Sequence, residues 1–119
     1  DALVNNASTY YATKFGTATP AQWDELFNAN ARAPFFLAQA AAPHLQASKG
    51  AIVNIADLYA LHPTADLSVH AASKAALVSL TQSLALALAP HVRVNAIAPG
   101  AILWPEAEDD TPDGDRKRR

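Results

Sequence analysis

Cysteine is absent from the chain, and this absence removes two classes of site. Without cysteine the protein forms neither disulfides nor thiolate metal centres. Histidine could still bind a metal, but the four histidines stand at positions 44, 62, 70 and 91 without ligand-like spacing. We therefore expect no metal site.

The chain also lacks a marked excess of either charge and any long apolar run. Its formal net charge of −2 gives no broad positive surface for nucleic acid or anionic lipid, so we expect neither partner. No apolar run approaches the ~20 residues of a membrane span, and no basic segment followed by an apolar one marks a secretory signal. We expect a cytoplasmic location.

What is present is an alternation of apolar patterns typical of an α/β protein. A chain of 119 residues fits about one domain. Short β-branched runs predict buried strands, and apolar residues at three- and four-residue steps predict long helices. The predicted order is a strand ending at Asn5, a helix over 20–47, a strand over 51–55, a helix over 69–89 and a strand over 92–98. This order predicts a parallel sheet.

Each predicted helix has sequence features that indicate where it begins or which face is apolar. Thr19, Pro20 and Gln22 form a predicted capping box at the start of the first helix. We expect it to bury one apolar stripe, made of Trp23, Leu26, Phe27, Ala31, Phe35, Ala38 and Ala42. In the second helix the expected stripe is Leu77, Leu80, Leu84 and Leu88.

The two ends of the chain differ from its middle. Asp1 already lies within a buried-strand pattern and no methionine precedes it, so we expect a fragment of a longer protein. Residues 107–119 are charged and nearly devoid of apolar side chains, which predicts a disordered tail. The folded part is expected to be residues 1–106.

The segment Ser68-Val-His-Ala-Ala-Ser-Lys-Ala-Ala-Leu77 contains the most informative pair of residues. His70 and Lys74 are four residues apart, which places both side chains on one face of a helix. The segment resembles the Tyr-x-x-x-Lys active-site helix of the short-chain dehydrogenases/reductases. His70 stands where that family has its acid/base tyrosine.

Three further segments match this family in the same order: Asn5-Asn6-Ala7-Ser8, Asn30 in the first helix, and Pro99-Gly100. Within the family the chain is most similar to the pteridine reductases, which have aspartate where other members have a catalytic serine. Asp57 is thirteen positions before His70, the family's usual interval. The resemblance covers roughly residues 1–106.

This resemblance implies a fold, a cofactor and a substrate class. The fold would be the carboxy-side half of a doubly wound Rossmann-like sheet, β-α-β-α-β. The cofactor would be NADPH, although the family's Gly-rich phosphate-binding half has no counterpart here. The substrate would be a pterin or folate-like molecule whose C=N bond accepts hydride.

The resemblance also assigns roles to individual residues. Lys74 would bind the nicotinamide ribose hydroxyls, and Asp57 would orient or protonate the substrate. Asn30 would hold a water through its main-chain carbonyl, which Pro34, having no N–H, leaves without its helical partner. The remaining cofactor contacts would come from Asn6, Ala7, Ser8, Pro99, Gly100 and Ile102.

The histidine at position 70 makes us expect impaired or absent activity. An imidazole is shorter than a phenol and has a pKa near ~6.5 rather than ~10. A neutral imidazole still donates one hydrogen bond, particularly if Asp57 orients the ring. Tyr59 lies off the helix, and no spacing places its hydroxyl beside Lys74.

The sequence leaves two alternatives to a reductase. The chain could be a non-catalytic or truncated derivative that forms a homo-oligomer through the helices 20–47 and 69–89. It could also be a hydrolase that uses Ser68 or Ser73 with His70 and Asp57. The hydrolase is disfavoured because the Gly-x-Ser-x-Gly nucleophile turn does not occur in the sequence.

Overall fold

A computed structural model describes residues 1–6, 8–62 and 64–99. Within them a single sheet of three parallel strands is formed by β1 (Ala2–Asn5), β2 (Ala51–Ile55) and β3 (Arg93–Ile97), in the order β1-β2-β3. Ala51 pairs with Ala2 on one side and with Arg93 on the other. The predicted α/β class and parallel pairing are confirmed. The charged tail 107–119 and the residues Ala7, Gly100 and Ile102 lie outside the described residues.

The first helix, α1 (Pro20–Phe27), begins at the predicted capping box. The Gln22 backbone N–H donates to the Thr19 hydroxyl over 3.2 Å, and the Thr19 backbone N–H donates to the Gln22 side-chain carbonyl over 2.9 Å. These two bonds satisfy donors that a helix start leaves unpaired. The start of this helix is therefore set by residues within four consecutive positions.

The expected continuous helix 20–47 is interrupted by a π-helical turn at Asn28–Arg32, after which α2 spans Ala33–Ser48. Pro34 has no N–H to donate to Asn30, so regular α-helical bonding cannot continue through this point. The backbone N–H of Ala33 bonds instead to the carbonyl of Asn28, five residues earlier. The inserted residue rotates the following side chains by about 100°.

The expected apolar stripe of this helix is wrong in part, both before and after the π-helical turn. Leu26, Ala31 and Ala38 are buried as expected, but Trp23 is 49% exposed. Phe35 and Ala42 are half-buried, whereas Leu45, outside the expected stripe, is buried. The helix ends at Lys49, whose left-handed backbone (φ 54°) allows Gly50 to return to the sheet.

The second predicted helix is α3 (Ser68–Leu88), within a residue of its expected bounds. The expected leucine stripe is confirmed in part: Leu77 is buried, Leu84 and Leu88 are partly buried against the core, and Leu80 is half-buried outside the core cluster. Four polar residues of this helix are buried as well: His70, Ser73, Lys74 and Thr81. Within the described residues one segment, Ala65–Leu88, is long and apolar enough to cross a membrane on length and composition. Its buried polar face is that of a helix packed against a sheet.

The apolar core lies between the sheet and the two long helices. Ile52 and Val94 from neighbouring strands pack with Ala38, Leu45 and Val92. Leu84 and Leu88 are partly buried against this cluster. α3 packs on β3, and its Lys74 and Thr81 side chains bond to Ile55 and Asn54 of β2, which places the amino-terminal half of α3 beside the carboxyl end of β2.

Candidate functional site

The buried face of α3 meets the carboxyl end of β2, which is where open parallel sheets bind ligands. His70 is 1% exposed and Lys74 is 5% exposed. Asp57 follows β2 by two residues and is 23% exposed in its side chain. The structure thus brings together the three residues that the sequence analysis had singled out as a site.

Asp57 holds the imidazole of His70 through one carboxylate oxygen. Oδ2 of Asp57 lies 3.0 Å from Nε2 of His70, and Oδ1 accepts the backbone N–H of Tyr59 over 2.8 Å. The second bond caps the 3₁₀ turn Leu58–Ala60 and fixes the rotamer of the carboxylate. Asp57 therefore orients the ring, as the sequence analysis anticipated.

The other edge and one face of the His70 ring contact the loop that follows β1. Nδ1 of His70 lies 3.3 Å from the carbonyl oxygen of Thr9. The Tyr10 ring packs edge-to-face on the imidazole, with centroids 4.7 Å apart. Burial, followed by the neighbouring Tyr59 and Asp57, raises the pKa of the Tyr10 phenol. The site therefore holds two tyrosines near the carboxylate.

Lys74 lies one helical turn beyond His70 and donates one hydrogen bond into the sheet. Its Nζ is 2.9 Å from the carbonyl oxygen of Ile55, the last residue of β2. Burial lowers the pKa of this ammonium, and the negative charge of Asp57 opposes the shift. An ammonium has three donors, so two remain to bind hydroxyl groups of a ligand.

The side chain of Asn30 joins the loop after β1 to α3. Its Oδ1 accepts from the backbone N–H of Thr9 over 3.1 Å, and its Nδ2 donates to the Thr9 carbonyl and to the Ser73 hydroxyl, each over 3.0 Å. The Ser73 hydroxyl donates in turn to the His70 carbonyl over 2.7 Å. The expectation for Asn30 concerned its main-chain carbonyl and stays a prediction. This side-chain role was not foreseen.

A second buried polar chain ties the strands to α3. Asn5 Nδ2 donates to Asn54 Oδ1 over 2.8 Å, and Asn54 Nδ2 donates to the Thr81 hydroxyl over 2.9 Å. The Thr81 hydroxyl donates to the Leu77 carbonyl over 2.7 Å. Asn5 thus links adjoining strands, and this series of hydrogen bonds holds the ends of β1 and β2 against α3.

The other residues expected to contact the cofactor lie at the edge of the site or outside the described residues. Asn6 and Ser8 are exposed beyond β1. The carbonyl of Pro99 accepts the Leu58 N–H over 3.3 Å, so Pro99 lies next to Asp57 at the same sheet edge. Residues 7, 100 and 102 lie outside the described part of the chain.

Sequence reasoning missed Thr9, Tyr10 and Thr81, and it named Ser73 only as a possible hydrolase nucleophile and not as a hydrogen-bond partner of Asn30. Tyr10 carried a usable signal, because it follows β1 closely and the carboxyl ends of parallel strands share one edge. The other three act through contacts with residues 21 to 61 positions away, or through a hydroxyl on a helix face. No local sequence pattern predicts such contacts.

Comparison with known proteins assigns this architecture to a family. The model of the short chain dehydrogenase family matches residues 1–114. The chain belongs to the short-chain dehydrogenase family. It is 45% identical to Protein FixR of Bradyrhizobium diazoefficiens, covering 90% of this chain and 43% of FixR. It is 40% identical to the probable galactose dehydrogenase GalD of Rhizobium meliloti, covering 85% of this chain and 40% of GalD.

Solved structures give the same assignment. FolM alternative dihydrofolate reductase 1 from Brucella canis, complexed with NADP, has a TM-score of 0.80 and 38% identity, covering 91% of this chain and 45% of FolM. An apo SCOR enzyme from Clostridium thermocellum has a TM-score of 0.83 and 33% identity, covering 92% of this chain and 46% of that one. The chain therefore spans less than half the length of these relatives. Their names differ in substrate, so family membership leaves the substrate open.

Proposed function

We propose that this protein is an NADPH-dependent reductase that transfers hydride to a C=N bond of a pterin or dihydrofolate. The observation that carries the proposal is the placement of Asp57, His70 and Lys74 together at the carboxyl end of β2. The likeness to FolM, named an alternative dihydrofolate reductase and solved with NADP, supports both the substrate class and the cofactor.

The described residues fit the nicotinamide side of such a cofactor. Lys74 has two ammonium donors left after its bond to Ile55, enough to hold a pair of ribose hydroxyls. Asn6, Ser8 and Pro99 lie at the same edge of the sheet and would form part of the wall. NADPH, when bound, supplies the hydride.

The side chains of the protein would orient the substrate and stabilise the charge that develops on it. The carboxyl of Asp57 is partly exposed beside the ring of His70, so a polar heterocycle could reach it. The Lys74 ammonium favours the ionised form of nearby acids and stabilises negative charge that develops on a substrate. The site thus contains an acidic group, a cation and a partly water-excluded floor.

The proposal is tested by NADPH oxidation at 340 nm, with biopterin and with dihydrofolate, in the protein as its gene encodes it. The matched variants are Asp57→Asn at the site and Asp24→Asn on the exposed side of α1. We expect turnover in the parent and in Asp24→Asn, with a loss of at least ~100-fold in Asp57→Asn. Rates equal to a buffer control in all three proteins would reject the reductase.

A second candidate is a non-catalytic derivative that self-associates, and one feature of the surface favours association. A groove of about 540 Å³ runs between the π-helical turn, α2 and α3. Its lining is mostly apolar and includes Phe27, Phe35, Phe36, Ala76 and Leu80. Phe36 is 50% exposed, although Arg32 covers one face of its ring at 5.4 Å. We propose that a second copy of the chain covers this groove in either candidate.

Light scattering after size exclusion tests the association. Phe36→Glu adds a charge to the groove, whereas Gln82→Glu adds the same charge on an exposed part of α3 outside it. We expect an oligomer in the parent and in Gln82→Glu, and a shift toward monomer in Phe36→Glu. An oligomer unaffected by Phe36→Glu would show that another surface is used.

A further inference from the structure

A phenol lies against the ring of His70, although position 70 itself has none. The Tyr10 ring contacts the imidazole edge-to-face, with centroids 4.7 Å apart. His70 is 1% exposed, so a substrate at the carboxyl end of β2 does not reach its ring. Tyr10, in contrast, is 57% exposed. The side chain that a substrate meets before the imidazole therefore has an O–H group.

Hydrogen bonds on both sides of Tyr10 hold its loop in place. The backbone of Thr9 exchanges two hydrogen bonds with the Asn30 side chain, over 3.1 and 3.0 Å. Further along the loop, the backbone N–H of Thr13 donates to the carbonyl of Asp66 over 2.8 Å, and Thr13 is buried. Tyr10 thus lies between two fixed points. A group that is held in position before the ligand binds is suited to catalysis.

The small ring at position 70 leaves room for Tyr10. The Tyr10 ring covers one face of the imidazole, and Asp57 bonds to one of its nitrogens. A phenol at position 70 is longer than an imidazole and would need space that these two side chains fill. The hydroxyl group that position 70 lacks is therefore present on a different element, the loop after β1.

Two residues of the loop after β2 approach the Tyr10 phenol. Burial is the largest cause that raises the pKa of Tyr10, followed by the electrostatic effects of Tyr59 and Asp57 and a hydrogen bond to the Tyr59 side chain. The phenol therefore keeps its proton at neutral pH and is available as a donor. Because the Asp57 side chain is 23% exposed, a polar heterocycle can contact the carboxyl and the phenol together.

We propose that Tyr10 is a catalytic residue that protonates the substrate nitrogen, while Asp57 orients the substrate. This inference rests on the proposed reductase function and names the proton donor within it. Hydride from NADPH adds to the carbon of the C=N bond. The nitrogen bonds the phenolic proton of Tyr10, the O–H bond breaks and its electron pair stays on the phenolate oxygen. One proton from water then restores the phenol.

Tyr10→Phe tests the assignment, because phenylalanine keeps the ring on His70 and removes only the hydroxyl. Tyr11→Phe is the matched control, since it removes a hydroxyl that bonds the Gln22 carbonyl on α1 at 3.3 Å. In the NADPH oxidation assay we expect kcat to fall at least ~100-fold in Tyr10→Phe, with KM changed less than about threefold. Both parameters of Tyr11→Phe should stay within about threefold of the parent.

Two kinetic results would overturn the proposal. A kcat loss in Tyr10→Phe no larger than that in Tyr11→Phe would mean that the Tyr10 hydroxyl takes no part in the reaction. A larger loss in Tyr59→Phe than in Tyr10→Phe would assign the proton to the neighbouring phenol instead.

A second measurement needs no turnover. Tyrosine labelled with ¹³C at Cζ, in the protein as its gene encodes it, reports hydrogen bonding at each hydroxyl by NMR, and Tyr10→Phe identifies the Tyr10 resonance. We add biopterin together with NADP⁺, which has no hydride to transfer. The Tyr10 resonance should move as biopterin is titrated, and the Tyr11 resonance should not. A Tyr10 resonance that does not move would overturn the proposal, whatever the activity.

The two measurements separate this inference from the function beneath it. If the Tyr10 resonance moves but the parent oxidises NADPH with neither biopterin nor dihydrofolate, the proposed function fails and the placement of Tyr10 at the ligand stands. If the parent oxidises NADPH and Tyr10→Phe is as active as Tyr11→Phe, the function stands and the inference fails.

Discussion

Replacing Asn54 by leucine removes the centre of the buried polar chain that holds the ends of β1 and β2 against α3. Asn54 is fully buried, and its two bonds join Asn5 on β1 to Thr81 on α3. Leucine has the same branching at Cγ but neither donor nor acceptor, and its two methyl groups are bulkier than the amide oxygen and nitrogen that they replace. The substitution therefore removes the polar contacts and adds some steric crowding at a fully buried position.

The substitution has different energetic costs at Asn5 and at Thr81, the two ends of this series of hydrogen bonds. Asn5 is 6% exposed, and its Nδ2 would be left without the acceptor on Asn54, at a cost of about 1–3 kcal/mol. The Thr81 hydroxyl keeps its own bond to the Leu77 carbonyl, so losing the Asn54 donor costs about 0.5–1.5 kcal/mol. We expect Asn54→Leu to lower the free energy of unfolding by about 1.5–4.5 kcal/mol.

Thr81→Val completes the test. Alone it leaves the Asn54 amide buried without an acceptor, which should cost about 1–3 kcal/mol. Together with Asn54→Leu it should cost less than the sum by about 1 kcal/mol, since leucine has no amide to leave unpaired.

Urea unfolding followed by circular dichroism measures these values. Thr17→Val is the matched control, because the exposed Thr17 hydroxyl also bonds a backbone carbonyl, that of Lys14 at 3.1 Å. We expect its effect to lie within about ±0.5 kcal/mol. Additive costs for the double variant, or a single-variant cost no larger than that of the control, would refute the reasoning.

Three further predictions concern single positions. Lys49→Gly should raise the free energy of unfolding by about 1 kcal/mol, because glycine adopts the left-handed backbone (φ 54°) without a Cβ penalty; a loss in urea unfolding would contradict this. Burial lowers the pKa of the Lys74 ammonium, so between that pKa and ~10.4 the unfolded parent binds more protons than the folded parent. Lys74→Met has no such group, so the free energy of unfolding of the parent relative to Lys74→Met should rise with alkaline pH in parallel unfolding titrations. A difference that falls with pH would contradict this. His70→Tyr places a larger ring at a position that is 1% exposed and in contact with Tyr10 and Asp57, so it should lower the free energy of unfolding by about 1–3 kcal/mol; an unchanged midpoint in urea unfolding would contradict this.

Much of the fold could be predicted because its signals are local. The capping box at Thr19 involves residues three positions apart, and β2 is a short apolar run with clear ends. The i, i+4 spacing of His70 and Lys74 was sufficient to place both on one face of α3, and Asp57 followed from its position after β2. These features depend on short stretches of chain.

The features that escaped prediction depend on distant partners. The π-helical turn combines a missing N–H at Pro34 with an Asn30 side chain that bonds Thr9 and Ser73, which are 21 and 43 positions away. The leucine stripe of α3 is only partly correct for a related reason. Apolar periodicity does not distinguish a face that packs on the sheet from one that lines a groove, and Leu80 lines the groove.

If Lys74 and Asp57 border the nicotinamide of a bound cofactor, their methylene protons lie close to it. In the complex of NADPH with the protein as its gene encodes it, we expect intermolecular nuclear Overhauser effects from the nicotinamide and its ribose to the Lys74 ε-methylene and the Asp57 β-methylene protons, and none to the buried His70 ring. Effects confined to other parts of the chain, or strong effects to the His70 ring with none to Asp57, would contradict it.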